Sequence, residues 1–270
     1  MCLAVKDQHA DIREWIEYHQ RIGVSKFYIF DNNSSSPMIS EFAELVESGL
    51  VTYHFLQTFQ HHSNRAQLYV YDQCLKQYGT HHKWIAFLDA DEFLMIRNAS
   101  YADMPALLRN YEEYGGLAVN WQIFGSSGHL TRPPGSVLAN YWQCFPEDGG
   151  QNRHVKVIAN TGNTVRVGRD PHTFEYIDGK IAVNEAFEPV HGPITAGVSV
   201  RQIAIYHYIT KSLAEYEAKM ARGSAMGNHK TIEFFRGIDG EATLNCTDAI
   251  PLGQSLKVHQ AVLQAGQTGV

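Results

Sequence analysis

Asp89, Ala90, Asp91 and Glu92 form the densest group of chemically capable residues in the chain, and they follow directly on the apolar run Trp84-Ile85-Ala86-Phe87-Leu88. Read as extended backbone, Asp89 and Asp91 fall on one face at i and i+2, with the small Ala90 leaving space between them. Carboxylate oxygens are the ligands that Mg²⁺ and Mn²⁺ prefer, and such sites usually keep coordination positions for substrate phosphates. The Asp-x-Asp group therefore predicts a metal and diphosphate site. The plainer reading is a polar surface turn, where aspartates one residue apart are common. Position favours the first: ligands of open α/β sheets sit beyond the carboxyl ends of the strands, where this group falls if 84–88 is a strand.

The surrounding pattern supplies the elements that would hold it. Short strands are expected at 3–5, 26–30, 51–55 and 84–88. Between them lie helices at 10–22, with Asp11 and Glu14 as a capping box, at 36–49, begun by Ser36 and Pro37, and at 65–78. Strands alternating with helices predict an α/β fold with a doubly wound, mostly parallel sheet. A histidine-rich connection, His61-His62-Ser63-Asn64, precedes the third helix, and Asp31-Asn32-Asn33-Ser34-Ser35-Ser36 forms a polar turn at the same sheet edge as the aspartates. After a helix begun by Asp103 and Pro105 and a strand at 116–124, Gly125-Ser126-Ser127-Gly128 reads either as a plain turn or as backbone approaching a ligand. Beyond it the pattern becomes irregular. Strands are expected at 155–158, at 174–177 and 181–183 as a hairpin around Asp178-Gly179, and at 203–208, before a helix opened by a Ser212/Glu215 capping box. No linker is evident, so 1–270 is read as one domain, with a donor-type front half at 1–125 and an irregular, mixed half at 126–270.

Composition narrows the classes. A net charge of −6 argues against a general polyanion binder, so nucleic acid is not an expected partner. No run approaches the length of a membrane span, and 44 % hydrophobic content suits a sizeable core. Cys2, Cys74, Cys144 and Cys246 form no Cys-x-x-Cys pair, which argues against a zinc knuckle or dithiol motif, and Cys74 is expected as a small core residue.

Several segments carry a joint resemblance. Lys6-Asp7 precedes a helix with Glu14-Trp15-Ile16-Glu17-Tyr18-His19; then come Phe27-Tyr28-Ile29-Phe30-Asp31-Asn32-Asn33-Ser34-Ser35 and Trp84 to Phe93. Trp121, Phe124 to Gly128 and His207-Tyr208-Ile209-Thr210-Lys211-Ser212 continue it. Together they resemble glycosyltransferase family 92 and related family-2-like transferases; Asp7 departs from the pattern, standing where Asn is usual. The resemblance implies a GT-A fold, Rossmann-like, and transfer of a sugar, galactose being the leading candidate, from a UDP-sugar to a glycan or other hydroxyl acceptor, with Mn²⁺ or Mg²⁺. It implies that Asp31 meets the nucleoside, that Lys6, Asp7 and Asn33 lie on the donor side, that Asp91 is the firmest metal ligand, and that Asp89 faces ribose or metal. It further implies a histidine completing the metal site, His207 before His172, with Lys211 meeting the diphosphate. Plant and animal relatives of this kind are Golgi-anchored, whereas bacterial and viral ones need no anchor, so the compartment stays open.

Inverting transfer needs a carboxylate base at the acceptor hydroxyl. Asp148 and Asp170, both in loops of the back half, are the candidates. Two other classes remain: a sugar nucleotidyltransferase, which would carry a Gly-rich segment near the start where Leu3–Asp11 has no glycine, and a carbohydrate-binding protein with a relic site.

Overall fold

The computed structural model describes residues 1–57, 65–223 and 230–256; the expected histidine-rich connection at 61–64 lies outside them. The front of the chain runs β1 (Cys2–Val5), α1 (Ile12–Arg21), β2 (Phe27–Asp31), a 3₁₀ turn (Met38–Glu41), α2 (Ala43–Glu47), β3 (Val51–Phe55), α3 (Ala66–Tyr78), β4 (Trp84–Leu88) and β5 (Glu92–Ile96). Then follow α4 (Met104–Leu108), β6 (Gly116–Ile123), α5 (Val137–Asn140), β7 (Gln143–Cys144), β8 (Val155–Asn160), β9 (Thr164–Val167) and β10 (Phe174–Tyr176). The rest is β11 (Ala182–Val183), β12 (Pro189–Val190), β13 (Ile203–His207), α6 (Leu213–Arg222), α7 (Ile232–Glu241), β14 (Leu244–Asn245) and α8 (Ile250–Gln254).

The main sheet has the order β12-β11-β6-β8-β4-β1-β2-β3, with β13 joining β6 to β5. β1 lies parallel to both β2 and β4, and β2 parallel to β3, as the alternating pattern predicts. β8 enters antiparallel between β4 and β6, so strands from both halves share one sheet. The fold is α/β with a mostly parallel centre and mixed strands added on one side, the architecture expected of a GT-A chain.

β5 was not anticipated. It starts one tight turn after β4, pairs antiparallel with β13 alone among the described residues, and leaves its other edge to α1. There Trp15 Nε1 donates to Glu92 O at 2.8 Å, Tyr18 Oη to Leu94 O at 2.8 Å, and Leu94 N to His19 Nε2 at 3.2 Å. Helix side chains thus satisfy backbone groups that a neighbouring strand would otherwise take.

Other local expectations change. Asp11 makes no capping bond to α1 and pairs instead with Arg132 and Lys211; Glu14 accepts from Ser136 Oγ and from the amides of Val137 and Leu138. Long-range partners outcompete the local cap, because buried carboxylates need charged or multiple donors. The helix expected at 36–49 is broken into the 3₁₀ turn and α2, with Ser36 capping neither. Residues around Asp178-Gly179 do turn, but β10 pairs with β9 while β11 pairs with β6 and β12, so no hairpin forms there. Cys74 is not a lone core thiol: it is bonded to Cys2, as Cys144 is to Cys246.

Candidate active site

The aspartates lie in the turn between β4 and β5, not on a continuous strand. Glu92 N donates to Asp89 O at 3.1 Å, and the Glu92 carboxylate returns to cap the turn, Oε2 accepting from Asp89 N at 2.9 Å. The turn sends the two aspartates to different partners. Asp89 meets Lys156 Nζ at 3.0 Å and also accepts from the amide of Gln67. Asp91 accepts from Lys219 Nζ at 2.5 Å, and its Oδ1 lies 3.6 Å from His207 Nε2.

Lys156 comes from β8 and is 1 % exposed, with its Nζ 3.7 Å from Glu92 Oε2 and over the Tyr71 ring. Burial alone would lower its pKa, but the charges of Asp89 and Glu92 hold it well above the ordinary value, so it is a fixed cation. Burial pushes Glu92 up to about 8, helped by the charge of Asp89 and opposed by Lys156. Asp91 goes the other way: burial raises it, yet Lys219 and His207 hold it well below the carboxylate range. Asp89 is lowered likewise, burial being outweighed by Lys156. The site therefore keeps Asp89 and Asp91 ionised beside a carboxyl group that is easily protonated.

His207 ends β13 directly opposite Glu92 in register, which is why a histidine far along the chain reaches the turn. Its ring packs against Trp121 of β6, with centroids 4.5 Å apart. Trp121 also stacks on His154 at 4.9 Å and meets His172 edge-on at 5.4 Å. His172 hydrogen-bonds Val155 O through Nδ1 at 2.7 Å, and burial drives its pKa down to about 4, with the Lys156 charge adding to it. It is thus a neutral group beside Trp121, bonded to the backbone of β8.

A scan against family sequence models matches glycosyltransferase family 92 over residues 1–163. The chain belongs to that family. Among relatives, it is 30 % identical over 145 residues to the family 92 protein Os08g0121900 of Oryza sativa subsp. japonica, covering 52 % of this chain and 24 % of the relative. It is 29 % identical over 113 residues to the galactan β-1,4-galactosyltransferase GALS2 of Arabidopsis thaliana, covering 40 % of this chain and 21 % of that protein. The chain thus spans about a fifth to a third of the length of the curated relatives it matches. Among solved structures, S. aureus TarS aligns at TM-score 0.43 and 10 % identity, over 77 % of this chain and 36 % of that one.

The other residues singled out within this family 92 chain fall in three places. Asp31 is fully buried and accepts from Ser34 N at 2.9 Å, Met38 N at 3.1 Å and Tyr53 Oη at 2.7 Å, so it shapes the loop from inside. Asp7, at φ 48°, accepts from Ser35 N at 2.7 Å and Ser35 Oγ at 2.8 Å; with Lys6 half-buried beside it and Asn33 exposed at φ 56°, it forms the rim of that loop. Lys211 is buried against Asp11, with Glu215 Oε1 at 3.9 Å. That structural ion pair corrects the expectation that Lys211 faces the diphosphate beside His207. Asp148 is exposed on the turn at 146–149, and Asp170 closes the turn before β10 by accepting from His172 N at 2.8 Å. The Gly/Ser loop is tied to α7, Ser126 N and Oγ donating to Asp239 at 2.7 and 2.6 Å.

Sequence reasoning named neither Lys219 nor Gln67, gave Glu92 no role of its own beside the aspartates, and did not commit Lys156 to the site. A lysine inside an apolar strand, Val155-Lys156-Val157-Ile158, was the one visible signal, since a lysine is rarely buried without a carboxylate partner.

Among the described residues, no group of three His, Cys, Asp or Glu converges tightly enough to hold a metal by itself. Asp91 Oδ1 and His207 Nε2 nonetheless offer two facing donors at 3.6 Å. Divalent cations bound with substrate phosphates commonly use so few protein ligands, and this pair fits such a cation.

Proposed function

We propose that this chain is the donor-binding, catalytic part of a metal-dependent glycosyltransferase that moves a sugar from a UDP-sugar to a hydroxyl acceptor with inversion. The observation that carries this reading is the meeting of Asp91 and His207, from β-strand ends distant in sequence, in a family 92 chain. The name of the relative GALS2 supports galactose as the sugar and a glycan as the acceptor.

Asp91 and His207 would hold Mn²⁺ or Mg²⁺, and when bound such a cation stabilises the charge that develops on a departing diphosphate. Lys219, and Lys230 beside it, bring further positive charge to the same rim. Burial and the neighbouring Lys219 lower Lys230 to about 8, which leaves it responsive to an arriving polyanion. Lys156 keeps Asp89 ionised and fixes the turn. The rim of Lys6, Asp7 and Asn33 faces the nucleoside side, where loop 31–36 is preshaped by Asp31. Asp170, whose charge acts on His172, takes the proton from the acceptor hydroxyl in preference to the exposed Asp148.

The test is UDP release from UDP-galactose with and without Mn²⁺. Metal-dependent turnover that Asp91→Asn abolishes is expected. Turnover unaffected by chelation, or none with any nucleotide sugar, would overturn the reading.

A further inference from the structure

A cavity of about 130 Å³ lies between β8, β10 and the β11–β12 pair. Val157, Phe174 and Ala182 give it an apolar lining that belongs to the core cluster on that face of the sheet. Tyr176 forms another wall, its ring packed against Gly115 so closely that a Cβ there would collide with it. The Tyr176 hydroxyl is buried and has no hydrogen-bond partner among the described residues. His172, Thr173 and the exposed His191 complete the lining with neutral polar groups. His172 Nδ1 donates to Val155 O at 2.7 Å, which leaves Nε2 as an acceptor.

From this geometry we infer that the cavity seats one sugar ring of the acceptor, beside Asp170. No Lys, Arg, Asp or Glu lines it, so it does not suit the diphosphate of a donor. A pyranose has apolar C–H faces and hydroxyl edges, and aromatic walls with a few neutral polar groups match both. The volume is below the ~300 Å³ of the smaller usual ligand sites, which limits the occupant to a single ring of an oligosaccharide. Position links the cavity to the chemistry. Asp170 accepts from His172 N at 2.8 Å and from Thr173 Oγ1 at 3.3 Å, so two lining residues hold the proposed base at the cavity's edge. His172 also meets Trp121, whose ring packs on His207. A buried hydroxyl without a partner is costly, and a sugar hydroxyl in the cavity would satisfy Tyr176. The inference deepens the proposed glycosyl transfer and rests on it for calling the sugar an acceptor.

The experiment titrates a β-linked galactose tetrasaccharide, without donor or metal, into the full chain labelled with ¹⁵N. Amide shifts gathered at Thr173, Tyr176 and Gly192 are expected; shifts gathered elsewhere, or none, overturn the inference. Gly192→Trp supplies a second arm, because Gly192 lines the cavity and a Cβ there meets nothing within 4 Å, so a bulky side chain is accommodated. It is expected to abolish the shifts, while Tyr176→Phe, which removes only the hydroxyl, weakens binding roughly 5–10-fold. In transfer from UDP-galactose, KM for the tetrasaccharide should rise in both variants and KM for the donor should not. A Gly192→Trp protein with the wild-type melting temperature and an unchanged acceptor KM overturns the inference. If that variant does not fold, the wild-type shifts and Tyr176→Phe decide. A chain that binds the tetrasaccharide at these residues but releases no UDP from UDP-galactose upholds the sugar site and overturns the transferase reading instead.

Discussion

Lys156 carries the charge balance of the site, because it is the buried cation between Asp89 and Glu92. Removing one partner of a buried ion group leaves the rest uncompensated, so Lys156→Met is expected to destabilise the protein by about 3 kcal/mol, read as a lowered denaturant midpoint. His19 offers a second residue-level prediction. Burial drives its pKa from the ordinary value to about 3, while its Nδ1 donates to Trp15 O at 2.8 Å and its Nε2 accepts from Leu94 N. The folded state thus keeps His19 neutral where the unfolded chain takes up a proton. The stability it contributes is present above the unfolded pKa and is lost as pH falls from about 6.5 towards about 3, by up to about 1.4 kcal/mol per pH unit. Urea titrations between pH 4 and 7 should show that slope, and His19→Gln should flatten it.

At the scale of elements, α1 and β5 form one unit, since the helix supplies the hydrogen bonds for the strand edge that carries Glu92. Trp15→Phe keeps most of the apolar contact but strips the donor from Glu92 O, leaving a buried carbonyl short of a partner. A loss of about 1–3 kcal/mol is expected, together with weakened binding of the proposed Mn²⁺, because the aspartate turn is anchored through β5. The α6 capping box is a simpler case. Ser212 and Glu215 satisfy each other's backbone amides as the sequence predicts, and α6 carries Lys219 to Asp91. Ser212→Ala should cost about 1 kcal/mol in thermal stability.

At the scale of the molecule, two disulfides cross-link parts remote in sequence, Cys2 with Cys74 and Cys144 with Cys246. The first ties β1 to α3, and the second ties β7 to the residue just after β14. Loops of this length are worth about 4–5 kcal/mol each in the chain-entropy account. Reduction should therefore lower the melting temperature sharply, and alkylation before reduction should label none of the four cysteines. The same scale explains the site: β8 and β13, both from the back half, enter the sheet beside β4 and β5 and deliver Lys156 and His207 to the aspartate turn.

Local chemistry was legible because it depends on neighbours in sequence. The alternation of apolar runs and amphipathic stretches determined the parallel β1–β4 core, the Ser212 cap and the position of Asp89 and Asp91 at a strand's carboxyl end. His207 was singled out because the family resemblance calls for a histidine and this one ends a recognisable strand, although its opposition to Glu92 depends on antiparallel register with β5, which no spacing encodes. What tertiary structure alone decided was the pairing of charges and thiols. Asp11 exchanges its expected cap for Lys211 and Arg132, Asp31 turns inward, and Lys156 enters the site from another strand. Pairwise electrostatics in a dry interior outweigh local hydrogen bonds worth about 1 kcal/mol, and the partners that decide them lie up to 200 residues apart in the chain.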